Sequence, residues 1–312
     1  MPAPVLDIVI VTAAGGRDLL RACLLSLHRH PLRAGEMTVH VADNASGDGT
    51  AAMVREEFPW VNLLEVGWNA GFSIANNLLL ARTRGPFVLL LNPDTEAIEG
   101  ALDRCVERMR EHPHLGMLGC RLVLRDGSFD HAAKRSFPTP LGALAHFANL
   151  AGRPWGGGGR PRGGGGRPRG GSLAQYRATE VGELEQGAVD AVNGAFMLVR
   201  REAIEQVGPL DEAYWLYMED LDWCFRFHRA GWTVFYEGEA SFVHVKGGLS
   251  KVGGHRSLRA NVAFHRGMGR FYRKFYAGSR PWLDGAVYLA IGLKLCVSAG
   301  RSALARRTLR WV

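Results

Sequence analysis

Short apolar runs rich in Val, Ile and Leu alternate with amphipathic stretches over the first ninety residues of the chain. A short apolar run fits a buried strand, and a longer stretch with apolar residues at helical spacing fits a helix that covers it. Because strands separated by helices pair in parallel, this order predicts an α/β fold: a mostly parallel, Rossmann-like sheet with helices on both faces. The predicted strands are Leu6–Thr12, Thr38–Asp43, Val61–Val66 and Phe87–Leu91, and the predicted helices are Asp18–Arg29, Asp48–Glu57 and Phe72–Thr83.

The cysteine pattern and the start of the chain indicate an intracellular protein. The five cysteines are odd in number and widely spaced, with no Cys-x-x-Cys pair, so they predict neither a disulfide framework nor a zinc site. No charged and then apolar leader precedes the first strand, which begins almost at once at Val5. We therefore expect a cytoplasmic location. The 312 residues, 47% of them hydrophobic, suffice for one large domain or two small ones.

A glycine- and arginine-rich segment, residues 152–171, contains Gly-Gly-Gly-Gly-Arg-Pro-Arg twice in tandem. It contributes five arginines to the net charge of +8, so the remainder of the chain carries only +3. Such a composition cannot bury enough apolar surface to offset the entropy of ordering, and we predict a disordered insertion. Its one aromatic residue, Trp155, offers little for bases to stack on, which argues against nucleic acid as a partner.

The sharpest local signal is a carboxylate directly after a strand. The apolar run Phe87–Leu91 is followed by Asn92-Pro93-Asp94, and ligands of open α/β sheets bind outside the carboxyl ends of the strands. A carboxylate in that place can hold a divalent cation against a diphosphate. The alternative is that Asp94 caps a helix that begins at Glu96. An Asn-Pro turn after an apolar strand favours the metal role.

The second predicted strand also ends in a carboxylate, Asp43, followed by a turn that contains Gly47 and Gly49. This turn is neither a Gly-x-Gly-x-x-Gly fingerprint nor a Walker sequence, which argues against a dinucleotide enzyme and a P-loop nucleoside triphosphatase. A carboxylate accepts a hydrogen bond from N3–H of uracil or thymine, so Asp43 predicts a uridine or thymidine nucleotide. The alternative is that Asp43 only caps the turn.

Taken in order, these and later motifs resemble family 2 glycosyltransferases, and in particular the bacterial rhamnosyltransferase-like branch. The resemblance covers most of residues 5–250 and depends on several motifs in the correct order rather than on any one. It implies a GT-A fold, in which an acceptor-binding half follows the nucleotide-binding half, and an inverting reaction. The motifs are Val41–Gly49, Asn69–Phe72, Leu91–Thr95, Asn193–Glu202, Val207–Asp211, Tyr217–Asp222 with Arg226, Ala230–Trp232 and His244.

The resemblance assigns the chemistry to three side chains. It implies that Asp220 is the catalytic base for the acceptor hydroxyl, and that Asp94 and His244 bind a divalent metal, Mn²⁺ or Mg²⁺. Related enzymes commonly have Asp-x-Asp where this chain has Asn92-Pro93-Asp94, which leaves Asp94 as the one strong anionic ligand. Without the family, His244 would be a structural residue at a strand end, and the acids at 219 and 220 would only favour a helix start through its dipole.

The remaining candidate site residues follow from the same motifs. Where the family usually has Ser/Thr-Tyr-Asn after the first strand, this chain has Thr12-Ala13-Ala14, so the aromatic contact to the base is missing and Thr12 keeps only a backbone contact to the nucleotide. The implied donor-binding residues are Thr12, Asp43, Asn69, Gly71, Asn92 and Asp94. The implied acceptor-binding residues are Asn193, Gly194, Trp215 and Glu219.

The chain divides into three predicted regions. Residues 1–100 form the nucleotide-sugar-binding half, and residues 101–250 form the acceptor-binding and catalytic half, which carries the insertion 152–171. Residues 251–312 form a basic C-terminal helical region.

In this last region a loop is predicted over Gly253–Arg259 and a basic, aromatic helix over Asn261–Tyr276. The apolar run Trp282–Ala299 is interrupted by Asp284 and Lys294, which predicts that it is too short between charges to span a bilayer. Two readings stay open: peripheral contact with the inner face of the cell membrane, and a helix packed on the domain.

The sequence thus predicts a metal-dependent, inverting hexosyltransferase of cell-wall or polysaccharide biosynthesis. By resemblance it moves a sugar such as rhamnose from a UDP- or dTDP-sugar to a hydroxyl of a glycan or a lipid-linked saccharide. An alternative from another class is a catalytically silent GT-A-like protein that binds glycan or RNA. A nucleotidyltransferase, which uses a glycine-rich, lysine-containing loop after the first strand, is favoured only by Gly15-Gly16-Arg17.

Overall fold

The structure is a computed structural model of the chain, and it describes residues 4–138, 180–246, 251–252, 255–278 and 280–308. The predicted disordered insertion 152–171 lies outside the described residues.

The first ninety residues fold as the predicted alternation of strands and helices. The strands are β1 (Leu6–Thr12), β2 (Met37–Asp43), β3 (Asn62–Glu65) and β4 (Phe87–Leu91), and the helices are α1 (Arg17–Arg29), α2 (Thr50–Glu57) and α3 (Phe72–Leu80). The bounds of β1 and β4 are those predicted. The strands pair in parallel in the order β3-β2-β1-β4, because each helical connection returns the chain to the same end of the sheet.

The sheet continues beyond β4 with strands from the later part of the chain. These are β5 (Thr95–Ala97), β6 (Leu115–Val123), β8 (Gly187–Ala188), β10 (Phe196–Arg200) and β11 (Thr233–His244); β7 (Lys134–Arg135) and β9 (Ala191–Val192) form a separate pair. The full order is β3-β2-β1-β4-β10-β6-β11-β5, with β8 also on β11. Because β10 lies antiparallel to β4 and β6, it joins the two halves into one sheet.

The core lies on both faces of this sheet. All five side chains of β4 are buried, and since alternate side chains of a strand point to opposite faces, both faces must be covered. The covering helices of the second half are α4 (Ala101–Glu111), α5 (Arg201–Val207) and α6 (Glu219–Arg229). On α6 Asp222 forms an ion pair with Arg226 one turn later, with 2.7 Å between Oδ1 and Nε.

The C-terminal region consists of a short hairpin and two helices. These are β12 (Lys251–Val252), β13 (His255–Arg256), α7 (Leu258–Phe275) and α8 (Pro281–Thr308). The helix α7 begins three residues earlier than predicted because the hydroxyl of Ser257 accepts a hydrogen bond from the backbone N–H of Ala260 and caps it.

The prediction that the last apolar run is too short to span a bilayer is wrong. Asp284 does not interrupt α8, because its carboxylate accepts hydrogen bonds from the hydroxyl of Tyr272 and the N–H of Gly278. The helix therefore runs on through Lys294 for 28 residues. Among the described residues, this is the one helix long and apolar enough to cross a membrane, over Pro281–Gly300 with a mean hydropathy of 1.4.

Candidate active site

Asp94 and His244 lie side by side at the edge of the sheet. The strand β5 begins directly after Asp94 and pairs with the end of β11, so that Thr95 lies opposite His244. The backbone carbonyl of Asp94 accepts a hydrogen bond of 2.7 Å from Val245, and its Oδ1 lies 3.6 Å from Nε2 of His244. The alternative reading of Asp94 as a helix cap is wrong, because a strand follows it and the next helix begins only at Ala101.

The other nitrogen of His244 is held by Asp130, which is not among the predicted site residues. Nδ1 lies 2.8 Å from Oδ2 of Asp130, and the ammonium of Lys246 binds Oδ1 of the same carboxylate. Burial raises the pKa of Asp130, but the hydrogen bonds from His244 and Lys246 outweigh it and lower that pKa to about 2. Asp130 is thus an anion that orients the imidazole and turns Nε2 toward Asp94.

The same contacts control the charge of the imidazole. Burial lowers the pKa of His244, but the hydrogen bonds to Asp130 and Asp94 outweigh burial and raise it to about 9. A proton between two carboxylates is stabilised for the same reason that a divalent cation would be. A cation bound here would displace the Nε2 proton.

The metal ligands that Asp94 and His244 can supply fit a divalent cation that takes most of its ligands from a substrate. Within the described part of the chain, no three His, Cys, Asp or Glu side chains form a metal-binding group. Asp94 and Nε2 of His244 supply two ligands, and Mg²⁺ and similar ions are often held by one or two protein groups together with phosphate oxygens and water. A carboxylate behind a histidine ligand, as Asp130 is here, is the usual support of such a site.

Two of the predicted donor residues, Thr12 and Asp43, lie opposite each other at the carboxyl ends of β1 and β2. Oδ1 of Asp43 accepts a hydrogen bond of 3.1 Å from the N–H of Ser46, so the turn-capping reading is correct for one oxygen. The carbonyl of Thr12 accepts from the N–H of Asn44 at 2.9 Å. Asp48 ties the next loop to this turn, since its Oδ2 accepts from the N–H of Gly15 at 2.9 Å.

Asn44 fixes the next predicted turn, although it is not among the predicted site residues. Its Oδ1 accepts from the N–H of Ala70 at 2.8 Å, and its Nδ2 donates to the carbonyl of Gly71 at 3.1 Å and to Oδ1 of Asn69 at 3.3 Å. One buried amide thereby holds the turn at 69–71 against the end of β2.

Gly71 brings Trp215, a predicted acceptor-binding residue, into contact with this turn. Its backbone has φ +86°, and a Cβ added there would lie 2.4 Å from both the ring and the carbonyl of Trp215. The N–H of Phe72 donates to that carbonyl at 2.7 Å. A glycine is therefore required by both backbone conformation and space, and it allows the indole of Trp215 to pack against the turn at 69–71.

Asp220 stands in the first turn of α6. Its Oδ1 accepts from the N–H of Leu221 at 2.8 Å, and its Oδ2 accepts from the N–H of Gly194 at 3.2 Å and from the guanidinium of Arg135. A carboxylate has about four acceptor sites. Three are occupied, which leaves capacity for one more donor such as an acceptor hydroxyl.

The backbone before Asp220 is strained. Tyr217 and Met218 have φ of +70° and +76°, values that side chains other than glycine seldom adopt. Such conformations cost on the order of 1–3 kcal/mol each and are frequent at active sites. They turn the chain abruptly, so that Glu219 and Asp220 can open α6.

Glu219 is buried, and one oxygen of its carboxyl group differs from those of Asp220 in having no partner within the described part of the chain. Its Oε2 has no hydrogen-bond partner among the described residues. Burial first, and the charge of Asp220 second, raise the pKa of Glu219 well above its ordinary value. The protonated, neutral form of Glu219 is therefore favoured in the folded protein. Its predicted contact with the acceptor stays a prediction.

The turn that contains Asn193 and Gly194 lies against the end of β4. The N–H of Asn92 donates to the carbonyl of Ala195 at 3.0 Å, directly after Gly194. The side chain of Asn193 stiffens the turn, because its Oδ1 accepts from the N–H of Ala195 and its Nδ2 donates to the carbonyl of Ala132.

One segment, residues 130–135, connects the two clusters. At one end Asp130 binds His244, and at the other Arg135 binds Asp220. Between them the carbonyl of Ala133 accepts from the N–H of Asn193 at 3.2 Å. The predicted metal residues and the predicted base are thus fixed to each other through six residues of backbone.

The fold and the placement of these residues define a GT-A type α/β protein, as predicted. Residues 8–208 match the family described as glycosyl transferase family 2. The chain belongs to this family.

Individual relatives agree with the family assignment. The chain is 31% identical over 257 residues to the N-acetylglucosaminyl-diphospho-decaprenol L-rhamnosyltransferases of two Mycobacterium tuberculosis strains, CDC 1551 / Oshkosh and H37Rv, covering 78% of this chain and 76% of each relative. The predicted likeness to rhamnosyltransferases is thereby confirmed.

Solved structures support the fold. A mannosyltransferase from Pyrobaculum calidifontis in complex with GDP-Man and Mn²⁺ has a TM-score of 0.58 at 16% identity, covering 100% of this chain and 76% of that one. GalNAc-T7 with UDP, GalNAc and Mn²⁺ has a TM-score of 0.60 at 10% identity, covering 88% of this chain and 48% of that one.

Proposed function

We propose that this glycosyltransferase moves a hexosyl group, such as rhamnose, from a UDP- or dTDP-sugar to a hydroxyl of a glycan or lipid-linked saccharide, with inversion and with a divalent metal. The observation that carries the proposal is the link through residues 130–135 between the Asp94–His244 pair and Asp220. A transferase needs a place for the leaving diphosphate and a base for the incoming hydroxyl at a fixed separation. The link supplies this rigidity.

The leaving-group side consists of Asp94 and His244. They would hold Mn²⁺ or Mg²⁺, and the bound ion would neutralise the charge that develops on the diphosphate. Asp130 keeps the imidazole in the orientation that points Nε2 toward Asp94. The Mn²⁺ in the two solved relatives supports this choice of cofactor.

The nucleotide would lie over the carboxyl ends of β1 and β2. Oδ1 of Asp43 is occupied by Ser46, and its other oxygen has capacity to accept from N3–H of uracil or thymine. Cytosine has an acceptor at N3, so two hydrogen-bond acceptors, this nitrogen and the Asp43 carboxylate, would face each other. This chemistry favours a UDP- or dTDP-sugar over a CDP-sugar.

The acceptor hydroxyl would be deprotonated by Asp220. As the hydroxyl oxygen bonds to the anomeric carbon, Asp220 takes its proton, and the bond from the anomeric carbon to the diphosphate oxygen breaks to release the nucleoside diphosphate. A single displacement of this kind inverts the anomeric centre. Asn193, Gly194, Trp215 and Glu219 would bind the acceptor sugar.

The mycobacterial relatives suggest the acceptor class. Their name describes transfer of L-rhamnose to N-acetylglucosaminyl-diphospho-decaprenol, a saccharide on a lipid carrier. We propose the same class here, in cell-wall or polysaccharide synthesis at the cytoplasmic side of the membrane.

The proposal is tested with Asp220→Asn, assayed with dTDP-rhamnose or UDP-sugars and an N-acetylglucosaminyl-diphospho-polyprenol. The amide keeps the shape of the side chain but cannot take the proton, so transfer should fall by at least about a hundredfold while donor binding is kept. Asp18→Asn, at an exposed aspartate of α1, is the matched control and should transfer normally. Normal turnover with weakened donor binding in Asp220→Asn would remove Asp220 as the base.

A further inference from the structure

The helix α8 presents an exposed face without a single ionised side chain over its first five turns. One face packs on α7, where Leu283 and Val287 are buried against Tyr272. The opposite face, at about 1.5 Å per residue, is about 30 Å long. Four large apolar side chains on this face are 57–68% exposed: Trp282, Leu289, Leu293 and Val297. The exposed positions are Pro281, Trp282, Gly285, Tyr288, Leu289, Gly292, Leu293, Cys296, Val297 and Gly300.

Positive charge is concentrated in the C-terminal segment that contains this helix. Residues 251–312 contain thirteen Lys and Arg against one acidic residue, Asp284, a formal charge of +12. Since the whole chain carries +8, residues 1–250 carry a net −4. Exposed arginines recur every seven residues along α7, at 259, 266 and 273, and Arg280 follows in the turn before α8. Residues seven apart lie on one face of a helix.

We propose that α8 lies flat in the surface of an anionic lipid bilayer, with its exposed apolar face among the acyl chains and the arginines of α7 at the headgroups. An apolar helix face flanked by basic residues is the pattern of an interfacial helix. Trp282 stands at one end of the face, and tryptophan is enriched at the boundary between lipid and water.

A second copy of the chain is the less favourable occupant. Two such faces packed against each other would bring two segments of +12 together, and like charges oppose that association. An anionic bilayer instead complements the charge, at about 1 kcal/mol for each basic residue near the surface.

Two polar contacts argue for a helix that lies on the membrane rather than one that crosses it. At one end the hydroxyl of Tyr272 donates to Asp284 at 2.6 Å, and at the other Nδ2 of Asn261 donates to the hydroxyl of Ser298 at 2.7 Å. Both tie α8 to α7 along its apolar length. In turn, α7 is fixed on the catalytic domain by Phe271, which is buried in the main core.

The arrangement also places the membrane near the candidate site. The guanidinium of Arg259, at the start of α7, stacks 4.0 Å above the ring of Trp215. Arg259 lies two residues before Asn261, which binds Ser298 of α8. A lipid-linked acceptor would then reach Trp215 from the bilayer, a consequence that rests on the proposed function. The docking surface itself does not depend on it.

Flotation of the full chain with vesicles, without donor or acceptor, tests the surface. We expect binding to phosphatidylglycerol–phosphatidylcholine vesicles, weaker binding to phosphatidylcholine alone, and release by alkaline carbonate. The double variant Leu289→Gln/Leu293→Gln should partition at least about tenfold less, because each leucine loses its burial in lipid. Leu184→Gln is the matched control, since Leu184 is 67% exposed elsewhere on the surface.

Two further readouts complete the test. Arg266→Gln/Arg273→Gln should lose the preference for anionic lipid. Equal unfolding midpoints of all variants establish that they fold. The inference is overturned if the wild type does not float, if the leucine pair has no effect, if α8 resists carbonate as a spanning helix does, or if the apolar face instead mediates a dimer in the absence of lipid. Because no substrate is present, each of these outcomes is separate from failure of sugar transfer.

Discussion

Asp130 and His244 lie 114 residues apart in sequence and form a hydrogen bond of 2.8 Å between Oδ2 and Nδ1. This contact decides which imidazole nitrogen is available to a ligand. With Nδ1 donating to an ionised carboxylate, Nε2 is left 3.6 Å from Oδ1 of Asp94. The pair that a metal ion would join is therefore set by a residue that would not itself touch the ion.

The first prediction concerns this positioning role. Asp130→Asn removes the charge that orients His244, and loss of a carboxylate behind a histidine ligand typically costs 10–100-fold in metal affinity. We expect the Mn²⁺ concentration needed for nucleotide binding to rise by about that factor. Titration calorimetry measures it.

A neighbouring aspartate provides the control. Asp126 lies in the same loop, is exposed, and accepts hydrogen bonds from the N–H and the hydroxyl of Ser128. Asp126→Asn should leave the Mn²⁺ titration unchanged. Equal titrations in the wild type and Asp130→Asn would show that Asp130 has no part in the site.

The second prediction concerns the glycine under Trp215. Gly71→Ala places a methyl group 2.4 Å from the Trp215 ring at a backbone conformation reserved for glycine. The free energy of unfolding should fall by about 2–4 kcal/mol, from strain and overpacking together. Urea unfolding followed by tryptophan fluorescence measures the change.

Gly67 separates the two causes. It also has a positive φ, +82°, but an added Cβ would have nothing within 4 Å. Gly67→Ala should therefore cost only the backbone strain, about 1–2 kcal/mol. Equal losses in the two variants would mean that the contact with Trp215 contributes nothing.

The third prediction is a pH dependence carried by Glu219. Because burial raises the pKa of this carboxyl in the folded state, the unfolded chain releases its proton at lower pH than the folded one. The stabilising effect of the neutral acid is complete below the ordinary glutamate pKa and is lost as pH rises through the raised pKa. Glutamine stays neutral, so Glu219→Gln should lose less stability than the wild type as pH rises above that ordinary value.

Thermal unfolding from mildly acidic to mildly alkaline pH tests this difference. Glu202→Gln, at an exposed glutamate in the first turn of α5, should follow the wild-type curve. Parallel curves for the wild type and Glu219→Gln would contradict an uncharged Glu219.

Most of the fold could be predicted because local patterns specify it. The alternation of apolar strands and amphipathic helices gave the bounds of β1 and β4, and the Asn-Pro-Asp sequence after β4 marked Asp94. These signals lie within a few residues of one another. The pairing of β10 with β4, in contrast, joins segments more than a hundred residues apart, which no short pattern records.

Asp130 and Asn44 could not be predicted either, because their partners are distant in sequence. Asp130 belongs to a turn with no periodic signal. Its contact with His244 depends on the pairing of β11 with β6, because the N–H of Asp130 donates to the carbonyl of Leu122 on β6. Asn44 adjoins the predicted Asp43 but acts on a turn 26 residues later. On α8, the sequence shows that Asp284 is charged, but it does not show that the hydroxyl of Tyr272 donates a hydrogen bond to its carboxylate.

The last prediction tests the central claim, a metal-dependent nucleotide-sugar site at Asp94. The measurement is the unfolding temperature of the wild type and Asp94→Ala with UDP, dTDP, CDP and GDP, each with and without Mn²⁺. A ligand that binds the native state raises this temperature. We expect stabilisation by UDP or dTDP that requires Mn²⁺ and disappears in Asp94→Ala. The same stabilisation in both proteins, or none by any nucleotide, would contradict the claim.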